Sequence, residues 1–382
     1  MKAYFEAHYE EMLDWLECLV NQDSGSSNKE GIDKLGTMLQ KEYSKLGFQV
    51  EVLQEEKYGN HLRIRMEPKA GGVKAATPSI LIIAHLDTVF PKGTAASRPF
   101  RIEGERGFGP GVIDMKGSQV MLLYVMKALL AQNDPALQQI EILLNSDEEI
   151  GSPSSRPWTE ELCKGKRYAI IMEPARANGA IVSARKGGGK YRLTVQGKAA
   201  HAGIEPEKGV NAIYELAHHV IQLQQLNGIT EGVTLNVGTF RGGTTCNTVP
   251  AEATAMVDIR VTTMEQMELV AQRIQQLTSH TYLPGTELQL EGGISRPPMA
   301  KTAATEAFLA LVQQAGNELG IVVQDTFTGG GSDGNFTAAL GVPTLDGLGP
   351  IGGNAHSEQE YIELSSLIER GALLARLLQL LV

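Results

Sequence analysis

At ILIIAHLD, residues 80–87, the chain runs almost continuously apolar, where most of its other segments mix apolar with polar positions. A strand that covers a single core alternates with period two. An unbroken apolar run fits a strand buried on both faces, as in a parallel sheet. Upstream, amphipathic spacing predicts a helix within the first twenty residues and another over 30–47. Strands are predicted at FQVEVLQ (48–54) and HLRIRME (61–67). Downstream come a helix over about 116–132, then IEILLN (140–145) and YAIIME (168–173). Strand and helix in alternation predict an α/β fold, with a mixed, mostly parallel sheet flanked by helices.

From about Lys190 the rhythm changes. The order becomes strand YRLTVQG, helix 208–226, strand VTLNVGTF, strand EATAMVDIRV, helix 263–279 and strand ELQLEG. This β-α-β-β-α-β series predicts an α+β, ferredoxin-like domain over 186–296. The α/β pattern then resumes with a helix at 303–319, a strand at VVQDTF, a glycine-rich turn, a strand at VPTLDGLG and a last helix from about 363. The second domain is therefore expected as an insertion into a first one made of 1–185 and 297–382.

Composition narrows the function. The 382 residues carry 34 Lys and Arg against 44 Asp and Glu, a net charge of −10. That balance argues against a nucleic-acid partner, whose phosphates need a basic face. No run reaches the roughly 20 apolar residues of a membrane span. Cys18, Cys163 and Cys246 are odd in number and far apart, which predicts no disulfide framework and no CxxC zinc site. The first helix is acidic throughout and does not read as a signal peptide, so a cytoplasmic protein is expected.

Four groups fall at or just beyond the carboxyl ends of expected core strands, the edge where open α/β sheets gather ligands. His85 and Asp87 end one run, and Glu148 and Glu149 follow another in NSDEEIGS. Glu173 ends a third, and His356 follows TLDGLGP. Asp114 lies in GPGVIDMKG, ahead of a helix. Each has a plain alternative. Asp114 also reads as a helix cap, Glu173 as a strand end, and His356 as a loop histidine like His8, His61, His218, His219 and His280. Together, two imidazoles and several carboxylates on one edge call for a positive charge, and the donor set suits zinc, with cobalt or manganese behind it. His85 and Asp87 share a strand face, so one can bind metal while the other hydrogen-bonds it. Glu148 and Glu149 are adjacent and cannot aim the same way, which suggests one ligand and one general base.

These segments resemble the dinuclear zinc exopeptidases and deacylases, a family that includes glutamate carboxypeptidase, aminoacylase, acetylornithine deacetylase and succinyl-diaminopimelate desuccinylase. The motifs that carry the resemblance are AHLDTV, GPGVIDMKG, SDEEIGS, MEPA, GKAAHAGIEPEKGVNAI, NTVPAEATAMVDIR, GGGSDGNF and NAHSEQEY, between about residues 80 and 375. GGGSDGNF and AHSEQEY point to the glutamate carboxypeptidase subgroup. The resemblance implies a zinc-exopeptidase fold holding two zinc ions bridged by Asp114. His85 and Glu173 would complete one ion, Glu149 and His356 the other. Asp87 would orient His85, and Glu148 would be the general base. In the inserted domain, His201 and Asn247 would hold the oxyanion, with His201 reaching in from a partner subunit. That domain would thus serve as a dimerisation element and lid. Arg260 would bind the substrate's free carboxylate, Arg296 is a further anion-binding candidate, and Gly331 would let backbone approach the substrate. The implied activity releases a C-terminal, glutamate-like amino acid from a peptide or N-acyl conjugate. An N-acyl amino acid deacylase is the alternative, ahead of a tripeptide aminopeptidase or a catalytically silent binding homologue.

Overall fold

A computed structural model describes residues 1–66 and 78–382; Glu67, the end of the strand expected over 61–67, lies outside the described residues. The chain divides into two compact units. The first takes Met1–Ala184, Lys301–Phe327 and Ser332–Val382, and the second takes Arg185–Ala300 with Thr328–Gly331.

In the first unit, six strands form one sheet. In spatial order they are Phe48–Leu53, His61–Met66, Ile140–Asn145, Ile80–His85, Tyr168–Ile171 and Thr344–Leu345. The last four run parallel, and His61–Met66 runs antiparallel to both of its neighbours. The apolar run that opened the sequence now has its cause. Ile80, Ile82 and Ala84 join the large core that includes the helices, whereas Leu81 and Ile83 join a smaller core with Leu143, Ala169, Ile171 and Cys163. Successive side chains point to opposite faces, and here both faces are dry. Each such Ile or Leu contributes about 1.5–3 kcal/mol by leaving water.

Helix Gly117–Ala131 is apolar nearly all round and buried along most of its length. The helix Ser366–Leu380 packs against it and against Ala303–Leu319. Asn28 caps helix Lys29–Lys45 by accepting from Gly31 N, and Thr302 caps Ala303–Leu319 through Thr305 N.

A second, smaller sheet in this unit escaped the sequence pattern. Its strands are Gly352–Gly353, Tyr361–Glu363, Arg106–Phe108 and Arg101–Glu103, in that spatial order. Pairing of Tyr361 with Phe108 and Ile362 with Gly107 brings the segment after His356 alongside the loop that leads to Asp114.

The second unit is a four-stranded antiparallel sheet in the order Thr234–Gly242, Glu252–Val261, Gly187–Gln196, Glu287–Arg296. Helices Ala212–Gln224 and Met264–Leu277 cover one face. This is the ferredoxin-like arrangement expected from the β-α-β-β-α-β order. His61 and His219 are buried on the strand and the helix expected at their positions, and neither is a loop histidine. His219 is hydrogen-bonded to Glu215, four residues earlier on the same helix, at 2.8 Å.

Candidate metal centre

Each expected ligand of the first unit reaches the carboxyl edge of the sheet by a different route. His85 is the last residue of its strand and is buried. Its Nδ1 donates to the backbone carbonyl of Asp87 at 2.9 Å, which turns Nε2 toward Asp114 Oδ1 at 3.0 Å. Glu173 lies two residues past Ile171, with Oε1 3.9 Å from the same Nε2. Asp114 sits in the irregular turn Val112–Lys116, and the peptide bond after it is cis. Its second oxygen faces His356 Nε2 at 3.2 Å, and that nitrogen also meets Glu149 Oε2 at 3.1 Å. Asp114 thus offers one oxygen to each histidine.

The turn that carries Glu148 and Glu149 hangs from Asp87. This wholly buried carboxylate accepts from Ser26 Oγ at 2.6 Å, Glu148 N at 3.1 Å and Glu149 N at 3.2 Å. The resemblance implies that Asp87 orients His85. Its carboxylate lies 3.5 Å from His85 Nδ1, and the closer partner of that ring is its carbonyl. The side chain's hydrogen bonds go chiefly to the two-glutamate turn and to Ser26. The resemblance assigned no role to Ser26, which belongs to the polar loop after the first helices.

Charge explains why these groups need one another. Burial alone would lower His85, yet the hydrogen bond and charge of Asp114, with Asp87 and Glu173, raise it well above its ordinary value. Hydrogen bonds to Asp114 and Glu149 bring His356 up to about 10. Burial works against the Asp114 carboxylate, but the two histidines hold it well below the usual range. Glu173 is pushed well up, first by burial and then by the charges of Asp114 and Glu148. Burial pushes Asp87 up to about 6. The cluster therefore holds more negative charge than its two imidazoles can balance.

The donor set fits a divalent metal. His85, Glu148 and Glu173 present ligand atoms within 4.8 Å of one another, and so do His85, Asp114 and Glu149. Glu149 Oε1 is buried and has no hydrogen-bond partner among the described residues. Mixed imidazole and carboxylate donors of this kind suit zinc and its neighbours in the first transition row.

The other expected site residues belong to the second unit. The short pair Ala200–His201 and Thr248–Val249 sets His201 opposite Thr248, and Ala202 N donates to the carbonyl of Asn247 at 2.9 Å. His201 and Asn247, far apart in sequence, are thus neighbours on one exposed ribbon. Arg260 and Arg296 are both cross-strand partners of Gly188, one on each side of it. Having no side chain, Gly188 lets the Arg260 side chain lie close over the strand, where an added Cβ would meet Arg260 Cδ at 2.9 Å. Arg260 also forks onto Asp258, at 2.9 and 3.0 Å. Gly331 is half-buried at the end of the Thr328–Gly331 turn, and Arg185 donates to Gly330 O at 3.1 Å.

Imidazoles and carboxylates gathered on the carboxyl edge of a parallel sheet, with a further glutamate in reach, define a metal-dependent hydrolase. The chain belongs to Peptidase family M20/M25/M40, whose sequence profile matches residues 81–380. It is 30% identical over 376 residues to carboxypeptidase G2 of Pseudomonas sp. (strain RS-16), covering 96% of this chain and 88% of that protein. With succinyl-diaminopimelate desuccinylase of Bordetella parapertussis it shares 28% identity over 316 residues, 77% of this chain and 80% of the other. Among solved structures, the fold is similar to aminopeptidase PepT from Bacillus cereus. The TM-score is 0.80 at 23% identity, covering 97% of this chain and 98% of that one. No helix among the described residues is long and apolar enough to cross a membrane.

Proposed function

We propose that this M20 enzyme is a zinc-dependent amidohydrolase that releases a C-terminal, glutamate-like amino acid from a peptide or N-acyl conjugate. The observation that carries the reading is Asp114, whose two oxygens each meet a different histidine. His85 and Glu173 would hold one zinc ion, Glu149 and His356 a second, with Asp114 shared between them. Cobalt or manganese would suit the same donors. When bound, the ions supply Lewis acidity that polarises the scissile carbonyl and acidifies water.

The chain's own groups supply the rest. Glu148 takes a proton from the attacking water and passes it to the leaving nitrogen. Asp87 holds the backbone on either side of that task through the N–H groups of Glu148 and Glu149. Arg260, with Arg296 across Gly188, offers guanidinium groups to the substrate's free carboxylate. The planar fork suits a carboxylate, and Asp258 keeps the Arg260 fork oriented. His201 and Asn247 form the oxyanion-holding pair, with His201 acting on a partner subunit's site.

A homodimer through the second unit completes the reading. Tyr214 and Ile221, seven residues apart, are exposed on helix Ala212–Gln224, and the edge strand Thr234–Gly242 exposes Phe240. Sedimentation should give a dimer that Tyr214→Lys with Ile221→Lys dissociates; a monomeric wild type would refute it. The three cysteines are unpaired and suit a reducing, cytoplasmic setting, which cell fractionation checks.

The likeness to a desuccinylase favours a second reading, an N-acyl amino acid deacylase. The test is amino acid release from a panel of blocked dipeptides and N-acyl amino acids, using chelated and zinc-restored enzyme. Zinc-dependent release of glutamate from blocked peptides supports the carboxypeptidase reading. Activity confined to simple N-acyl amino acids, with no preference for a glutamate-like leaving group, supports the deacylase and rejects the first.

A further inference from the structure

Glu360 plays no part in the reading above, yet it touches the loop on which that reading depends. The residue is 1% exposed. One carboxylate oxygen accepts from Ile113 N at 2.9 Å and Asp114 N at 3.1 Å, and the other accepts from Gly111 N at 3.0 Å. The loop cannot supply these acceptors itself. Gly111 stands at φ +71°, where an added Cβ would meet Thr88 Cγ2 at 2.5 Å, and Asp114 and Met115 leave helical geometry. Buried N–H groups without acceptors would be costly, so a carboxylate from elsewhere in the chain takes them.

The position of Glu360 gives the contact its meaning. It lies four residues after His356, which approaches the Asp114 side chain. One short segment therefore grips Asp114 twice, by its carboxylate through an imidazole and by its backbone through a second carboxylate. The pairing of Tyr361 with Phe108 fixes that segment in register.

We infer that Glu360 is a positioning residue for the metal centre, setting where Asp114 stands between His85 and His356. The inference rests on Asp114 being the shared ligand. Glutamine in its place keeps one oxygen and turns an amide N–H₂ toward the loop's own donors, so the turn loses at least one acceptor. Residues that orient ligands in this way typically govern metal affinity by 10–100-fold.

The experiment compares wild type, Glu360→Gln, Glu360→Asp and Asp114→Asn after chelation, with zinc as the probe. Zinc affinity is read by competition with a chromophoric chelator, and the fold of each metal-free protein by far-UV circular dichroism. Glu360→Gln should stay folded and bind at least one zinc about 10–100-fold more weakly. Affinity within twofold of wild type, while Asp114→Asn has lost zinc, would overturn the inference and leave the site reading intact. Unchanged affinity in Asp114→Asn would overturn the site reading as well. If metal-free Glu360→Gln does not fold, Glu360→Asp decides: a folded protein with weakened zinc binding supports the inference. Wild-type affinity, or failure of both variants to fold, makes the contact purely structural and overturns it.

Discussion

Glu148 stands where it could either move a proton or bind metal, and Glu148→Ala separates the two. Its carboxylate lies in ligand reach of His85 and Glu173. Its backbone N–H is fixed on Asp87 at 3.1 Å, and alanine keeps that bond, so the turn holds and the loss belongs to the side chain alone. A positioned general base contributes about 10²–10⁴ in rate. At 1.36 kcal/mol per decade this is about 3–5 kcal/mol of barrier. We expect kcat to fall by about that factor, KM to change little, and zinc to stay at wild-type stoichiometry. The assay pairs initial rates of zinc-restored enzyme with metal content measured on the same sample. A fall in bound zinc would make Glu148 a ligand, and wild-type turnover would remove it from the mechanism; either result refutes the assignment.

Other consequences are open to direct measurement. Glu141, buried on a central strand, meets Lys166 Nζ and Arg63 Nε at 2.6 Å each. Because the Lys166 side chain is 2% exposed, Glu141→Ala strands a buried charge, and denaturant unfolding should show a loss of about 3–5 kcal/mol. Activity at 25 °C should be unchanged, and a stability within 1 kcal/mol of wild type would contradict the buried pair. Acid should weaken the fold through His219 and Glu215. Burial lowers His219 below its ordinary 6.5, so the unfolded chain binds the extra proton and stability drops as pH falls through that value. Burial would raise Glu215, but backbone hydrogen bonds from Leu283 and Tyr282 together with His219 outweigh it and lower it. Its contribution is therefore present above 4.5 and lost as the pH falls below. His219→Gln should flatten the stability profile between about pH 7 and 5, and an unchanged slope would count against the sign argued here. Arg260→Ala should raise KM about 10–100-fold for substrates with a free carboxylate, the loss of a charge-assisted bond of about 1.5–3 kcal/mol. Amidated substrates should show no difference; equal effects on both would exclude carboxylate recognition.

Long-period features of this fold were legible in the sequence, and short ones were not. The apolar run at 80–87 announced a strand with two dry faces, and the change of rhythm near Lys190 announced the ferredoxin-like sheet. The strands Arg101–Glu103, Arg106–Phe108, Gly352–Gly353 and Tyr361–Glu363 are two or three residues long, too short to display a period. Yet that small sheet draws the His356 segment to the Asp114 loop. VPTLDGLG narrowed to a strand of two residues, Thr344–Leu345, because Gly347 at φ +70° turns the chain away. The convergence of His85, Asp114, Glu149, Glu173 and His356 was legible through their strand-end positions and through the resemblance. Ser26 and Glu360 were not, since each acts by gripping backbone N–H groups or another carboxylate. No residue-type pattern records such a contact, although Glu360 lies inside a motif already picked out for His356.

The contact between Glu360 and Asp114 spans 246 positions of sequence. At about 5–20 residues per second, a ribosome needs roughly 12–50 s to travel from one to the other. Throughout that interval the nascent Asp114 loop lacks both the carboxylate that takes its N–H groups and the imidazole of His356. A cation met early would find only some of its donors, and those not yet held in place. Assembly of the centre is thus a late event in the making of each molecule, deferred until the chain has closed back on itself.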